Sequence, residues 1–90
     1  MVSINSEELN TFQEDVHDEI AMSMPSKPEY VGVVRLTVSA IANRMGFNIE
    51  DIEDIKVAVA EACTNAIRHS ENHDFKVSFQ VFEDKMGISI

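Results

Sequence analysis

The sequence contains few of the residue types that mark disulfide-rich or glycine-loop proteins. Its 90 residues include one cysteine, no tryptophan, two prolines and three glycines. A single cysteine excludes an internal disulfide, and the isolated Gly32, Gly46 and Gly87 exclude a phosphate-cradling glycine-rich loop within these residues. Cys63 lies among apolar residues of a helical pattern, so we expect a buried structural thiol.

Basic residues and long apolar runs are also scarce. Seven Lys and Arg stand against sixteen Asp and Glu, for a net charge of −9. Such a chain has no basic patch to neutralise phosphates, so direct nucleic-acid binding is not expected, and a basic protein partner is favoured. The apolar runs are too short for a transmembrane span, and the N-terminus lacks the regions of a signal peptide. We therefore expect a single cytoplasmic globular domain.

The strongest pattern in the chain is a helix predicted from Glu50 to His69. Asn48 is a suitable N-cap, and Asp51 follows it with the spacing of a capping box. Acidic residues crowd the first turns and basic residues the last, as the helix dipole favours. The apolar arc of this helix comprises Ile52, Ile55, Val59, Ala62, Cys63, Ala66 and Ile67.

Two polar residues lie on the side of this helix opposite to its apolar arc. Glu61 and Asn65 are four residues apart, which stacks them one turn apart on one face. A carboxylate and an amide at this spacing can act on one ligand together. Pairs of this kind are usually only solvated, so the spacing alone favours an ordinary solvated pair and leaves a ligand site as the alternative.

The remaining elements follow from periodicity and breakers. Alternation from Glu19 to Met24 predicts a strand, and a helix is predicted from Pro28 to Met45, ended by Gly46. The predicted core stripe of that helix is Tyr30, Val33, Val34, Thr37, Val38, Ile41 and Met45. Alternation from Phe75 to Phe82 predicts a second strand, and Met86 to Ile90 a third. The order strand, helix, helix, strand, strand predicts an α+β fold, a two-layer sandwich.

Residues 1–18 form a separate acidic N-terminal extension, and residues 19–90 form the domain. In the extension, Ser6 could cap a short helix whose Leu9, Phe12 and Val16 share one face. So short a helix with so little apolar content is marginal alone, so it must dock on the rest of the chain or fray.

Three segments together closely resemble one family: PSKPEYVGVVRLTVSAIANRMG, IEDIKVAVAEACTNAIRH and FKVSFQVFEDKMGISI. They are similar to the anti-sigma-factor serine-protein kinases of bacterial stress-response and sporulation control (RsbW-like), within the GHKL group of ATPases. The resemblance covers Glu19 to Ile90 and implies a GHKL histidine-kinase-like ATPase sandwich. Residues 1–18 lie outside the family pattern.

The resemblance implies roles for particular residues. EACTNA matches the first ATP-site motif of the family, which implies that Glu61 is the catalytic base and Asn65 the ligand of a Mg²⁺ ion bound with ATP. Arg35, in VVRLTV, matches a position that family members use for partner contact. The implied partners are a sigma factor, which is held inactive, and an anti-anti-sigma protein, which is phosphorylated on serine. A homodimer is also implied.

The chain departs from the family pattern at its C-terminal end. The Asp-x-Gly-x-Gly motif that recognises adenine should follow Ile90, so we expect a truncated N-terminal portion without tight ATP binding or kinase activity of its own. We also expect self-association through the exposed strand edge and helix faces. Two alternatives stay open: a non-catalytic module for sigma-factor binding or dimerisation, and, more remotely, a fragment of a histidine kinase ATPase domain.

One further spacing invites a metal interpretation. His69 and His73 are four residues apart, as in a metal-binding pair, but the polar segment between them is expected to end the helix and no third ligand is evident. Structural or solvent-exposed histidines are therefore the favoured interpretation.

Overall fold

The computed structural model describes residues 17–70 and 73–90 of the chain. The short helix predicted around Leu9, Phe12 and Val16 lies outside the described residues. In the described part, no helix is both long enough and apolar enough to cross a membrane.

Three antiparallel strands form one sheet. They are β1 (Asp18–Pro25), β2 (Asp74–Val81) and β3 (Met86–Ser89), in the spatial order β1-β2-β3. In the register of the first pair, Ile20 lies opposite Phe79, Met22 opposite Val77 and Met24 opposite Phe75. Because side chains alternate between the two faces of a strand, these apolar residues share the face that meets the helices.

Two helices connect β1 to β2. A 3-10 turn, Pro28–Tyr30, leads into α1 (Val31–Arg44), and α2 runs over Ile49–His69. Gly46 follows α1 with φ of +87°, a conformation that glycine adopts without steric cost. The side chain of Asn48 accepts a hydrogen bond of 2.8 Å from the backbone N–H of Asp51, so Asn48 is the N-cap of α2.

One apolar core lies between the sheet and the helices. Its largest fully buried side chains come from every element except β1: Phe79, Ile88, Val34, Val38, Val59, Val77 and Cys63. Burying one Val or Ile side chain contributes about 1.5–3 kcal/mol, so this single layer of contacts dominates the stability of the fold. The predicted α+β two-layer sandwich is confirmed.

The prediction for the first helix needs two corrections. Its first turn is a 3-10 turn, and its buried stripe is Val34, Val38 and Ala42 rather than one that includes Val33. Val33 is 45% exposed because it lies about 100° around the helix from Val34. Ala42 continues the spacing of four residues from Val34 and Val38, and it is fully buried.

Replacing the N-cap of α2 tests the start of the helix that carries the candidate site. We expect Asn48→Ala to lower the free energy of unfolding by about 1 kcal/mol, because the Asp51 N–H loses its acceptor. Urea denaturation followed by circular dichroism measures the change. Asn43→Ala, at an exposed position in α1, is the matched control and should change the stability little. Equal losses in both variants would contradict a capping role.

Candidate functional site

The helix α2 presents two different faces. Val59 and Cys63 are buried against the sheet layer, at 1% and 0% exposure, whereas Glu61 and Asn65 are exposed. With 3.6 residues per turn, burial of the first pair forces the second pair to the opposite side. The core contact therefore decides where the polar pair lies.

Glu61 and Asn65 share one shallow depression. It has a volume of about 330 Å³ and is lined by Ala60, Glu61, Thr64 and Asn65. The structure thus brings the two predicted residues together, one helical turn and about 6 Å apart along the axis. Within the described residues, neither side chain is held in a hydrogen bond or an ion pair, so both remain available to a ligand.

Thr64 is a lining residue that sequence reasoning missed. Its hydroxyl donates a hydrogen bond of 2.9 Å to the backbone carbonyl of Ala60, one turn earlier in the helix. This internal bond occupies the hydroxyl proton and fixes the side chain. A threonine inside a predicted helix is the sequence signal that could have indicated this arrangement, because its hydroxyl can reach the backbone carbonyl four residues earlier.

The donor atoms of the depression suit a hard cation that is bound mainly by other oxygen ligands. The Asn65 amide offers one carbonyl oxygen and Glu61 a carboxylate. Mg²⁺ usually keeps several waters and takes few protein ligands together with substrate phosphates, so these residues fit Mg²⁺ brought by a nucleotide. Among residues 17–70 and 73–90, no group of three or more His, Cys, Asp or Glu side chains could hold a metal ion unaided.

The third predicted residue lies elsewhere. Arg35 is an exposed residue of α1 and does not line the depression on α2. It forms no ion pair within the described part of the chain. Its guanidinium is therefore available to a carboxylate or carbonyl of another molecule.

The two histidines considered as a metal pair are both exposed. His69 is the last residue of α2, and His73 directly precedes β2. Residues 71 and 72, which lie between them, are not among the residues that the structure describes. No cluster of ligands in the described ranges includes them. The interpretation as solvent-exposed histidines agrees with their placement.

Cys63 lies on the core side of α2, between the two site residues in sequence. It is a free cysteine with no exposed surface, which confirms the predicted buried thiol. Burial raises the pKa of the thiol from 9.0 to about 11, since an apolar environment disfavours the thiolate. The group is a packing element of the helix and not a nucleophile.

Comparisons with known proteins identify the family of the chain. A family model described as the histidine kinase-like ATPase domain matches residues 24–90. The chain is 52% identical over 77 residues to the serine-protein kinase RsbW of Bacillus velezensis, covering 81% of this chain and 48% of the relative. The protein of the same name from Oceanobacillus iheyensis is 53% identical over 78 residues, covering 82% and 49%.

A relative from a third organism has similar identity and coverage. The serine-protein kinase RsbW of Bacillus subtilis is 47% identical over 77 residues, covering 81% of this chain and 48% of the relative. The chain therefore spans about half the length of the curated relatives that it matches. The resemblance found in the sequence is confirmed at the level of the family.

The buried thiol predicts how stability depends on pH. The folded chain keeps the Cys63 proton up to about pH 11, whereas the unfolded chain releases it near pH 9. The contribution of the protonated thiol to the free energy of unfolding is therefore complete below pH 9 and is lost as the pH rises toward 11. Urea denaturation at several pH values between these limits should show stability falling more steeply for the parent chain than for Cys63→Ala. Parallel curves would contradict the assignment, because all other titrations are common to both proteins.

Proposed function

The chain belongs to the histidine kinase-like ATPase domain family, and we propose that it is the N-terminal portion of a serine-protein kinase that is also an anti-sigma factor. One observation supports this above others. Glu61 and Asn65 lie side by side in an open depression. The chain that carries them is 52% identical over 77 residues to a protein named serine-protein kinase. Its proposed substrate is an anti-anti-sigma protein, and its proposed second partner is a sigma factor in the cytoplasm.

In this proposal each residue of the depression has a distinct task. The Glu61 carboxylate accepts the proton of the attacking serine hydroxyl, directly or through a water, as a general base does. The Asn65 amide oxygen would hold the Mg²⁺ ion that accompanies the nucleotide. Mg-ATP, when bound, supplies the phosphoryl group that is transferred. Because the face that carries both residues is exposed, a serine on another protein could approach Glu61 without displacing core residues.

Arg35 is the proposed partner-binding residue. It is exposed on α1, apart from the depression, so partner binding and phosphoryl transfer would use different parts of the surface. In a chain of net charge −9, a cation that forms no ion pair within residues 17–70 and 73–90 favours an acidic group on the partner. If the sigma factor and the anti-anti-sigma protein both bind at Arg35, they compete for one surface.

The proposal includes self-association, as a dimer or a larger assembly. Leu36 on α1 and Ile49 on α2 are 74% and 79% exposed, and both line a depression of about 440 Å³ between the helices. Large apolar side chains exposed next to each other favour burial against another protein surface.

A second candidate function is a binding module without catalysis. It is favoured by the shallow form of the depression, in which the described residues offer three polar side chains, one of them bonded back to the helix, and no phosphate-cradling loop. The two candidates differ in what they require beyond Ile90. An Asp-x-Gly-x-Gly sequence encoded downstream of the Ile90 codon would support the proposed kinase function. Its absence there would contradict that function and favour the binding module.

Substitutions in the depression separate base catalysis from metal binding. In the polypeptide extended past Ile90, we expect Glu61→Gln to lower kcat roughly 10²- to 10⁴-fold with ATP affinity little changed, since a general base contributes on that scale. Asn65→Ala should weaken Mg²⁺-dependent ATP binding about 10- to 100-fold or more. Phosphate transfer to a purified anti-anti-sigma protein and titration with labelled ATP measure the two effects.

The control for these substitutions is Asp54→Asn, an exposed acid two turns earlier on the same side of α2. It should leave both quantities unchanged. For the chain of 90 residues alone, the same titration should show no saturable binding of ATP. An Asp54→Asn loss as large as that of Glu61→Gln would indicate a general effect of negative charge on this helix and would contradict the assigned roles.

Reversing the charge of Arg35 tests the partner surface. Arg35→Glu should weaken binding to a purified sigma factor of the stress or sporulation type at least about 10-fold, because a partner carboxylate would then face a like charge. Arg44→Glu changes the other exposed arginine of α1 and is the matched control. Equal effects of both substitutions in calorimetry would contradict a specific role for Arg35.

A further inference from the structure

Thr64 completes a triangle of polar side chains around the depression on α2. It lies three residues after Glu61 and directly before Asn65, and all three residues are exposed. With about 100° of rotation per residue, Thr64 lies about 60° to one side of Glu61 and Asn65 about 40° to the other. Both lie one turn further along the helix. A ligand seated above Glu61 therefore has Thr64 and Asn65 on its two flanks.

The internal bond of Thr64 leaves its hydroxyl group only the role of an acceptor toward a ligand. A threonine hydroxyl has one proton to donate and two lone pairs that accept. Thr64 donates its proton to the backbone carbonyl of Ala60, with 2.9 Å between the two oxygen atoms. A phosphate oxygen needs a donor, so Thr64 cannot bind phosphate without breaking this bond. A water molecule, in contrast, can donate to the lone pairs while the bond is kept.

We propose that the hydroxyl oxygen of Thr64 accepts a hydrogen bond from a water of the hydrated Mg²⁺ ion and so positions that ion beside Asn65. Waters bound to a cation direct their protons outward, so a hydrated ion needs acceptors around it. Mg²⁺ keeps several waters and takes only one or two protein ligands, which makes Thr64 a partner of the water rather than of the metal. The inference rests on the proposed function, in which Mg²⁺ is bound together with ATP.

The other side chains that line the depression agree with this role. The Glu61 carboxylate and the Asn65 amide oxygen are acceptors like the Thr64 hydroxyl, and the amide NH₂ of Asn65 is the one donor among the lining side chains. Three acceptors on a helix surface suit the protons of a hydrated cation better than they suit an anion.

Substitutions at Thr64 test this role in the polypeptide extended past Ile90. Thr64→Val keeps the shape of the side chain but removes its oxygen, so it should weaken ATP binding about 10-fold when Mg²⁺ is present. With EDTA in place of Mg²⁺, the same substitution should leave the ATP affinity unchanged, because no metal-bound water is then present. Thr64→Ser keeps the hydroxyl and should bind ATP as the parent does. Titration with labelled ATP in both buffers measures these affinities.

The matched control is Thr37→Val in α1. The Thr37 hydroxyl donates a hydrogen bond of the same kind and length, 2.9 Å, to the backbone carbonyl of Val33, and Thr37 does not line the depression. This substitution removes the same internal bond from a helix and should leave ATP binding unchanged in both buffers. If circular dichroism shows that Thr64→Val does not fold, Thr64→Ala takes its place, because alanine favours the helix.

Three results would overturn the role of Thr64 alone. They are an unchanged affinity of Thr64→Val with Mg²⁺, an equal loss with and without Mg²⁺, and a Thr64→Ser variant as weak as Thr64→Val. In each case the parent would still bind ATP more tightly with Mg²⁺ than without it, and Asn65→Ala would still remove that difference. A parent polypeptide whose ATP affinity does not depend on Mg²⁺ would instead contradict the proposed metal site, and the role of Thr64 with it.

Discussion

The packing of α2 against the sheet is the contact on which the rest of the structure depends. Val59 and Cys63 are buried in the single core shared by both layers. The rotation of the helix about its axis is fixed by that burial, since turning it by one residue would bring polar groups into the core. The exposed position of Glu61 and Asn65 is a consequence of this packing, so the candidate site is placed by the same residues that stabilise the fold.

Much of the fold could be predicted because its signals are local and agree with one another. Asn48, the acidic first turn and the apolar arc all indicate the same helix, and alternation through Phe75, Val77 and Phe79 indicates a buried strand. The stripe of α1 was harder to predict, because Val33 and Ala42 are both apolar and periodicity does not say which one faces the sheet. Only the packing of α1 against the core selects Ala42.

The candidate site could be located from the sequence but not given a chemistry. A carboxylate and an amide four residues apart on an exposed helix face occur wherever such a face is solvated, and only resemblance to a family distinguishes this pair. The structure adds that the two side chains share one depression and that Thr64 is bonded back to the helix. The ligands that would complete a magnesium site are phosphate and water oxygens, which no sequence pattern of the protein encodes.

The uncovered apolar residues follow from the two-layer architecture. A sheet can cover only one side of each helix, so the opposite sides of α1 and α2 keep Leu36, Ile49 and Val57 exposed. Those residues lie on helix surfaces, where a solvent-facing apolar side chain is common in a small domain. Ile20 is different, because it lies on the face of the sheet that forms the core. An exposed residue on the core face of the sheet therefore marks a point at which the sheet extends past the helix layer.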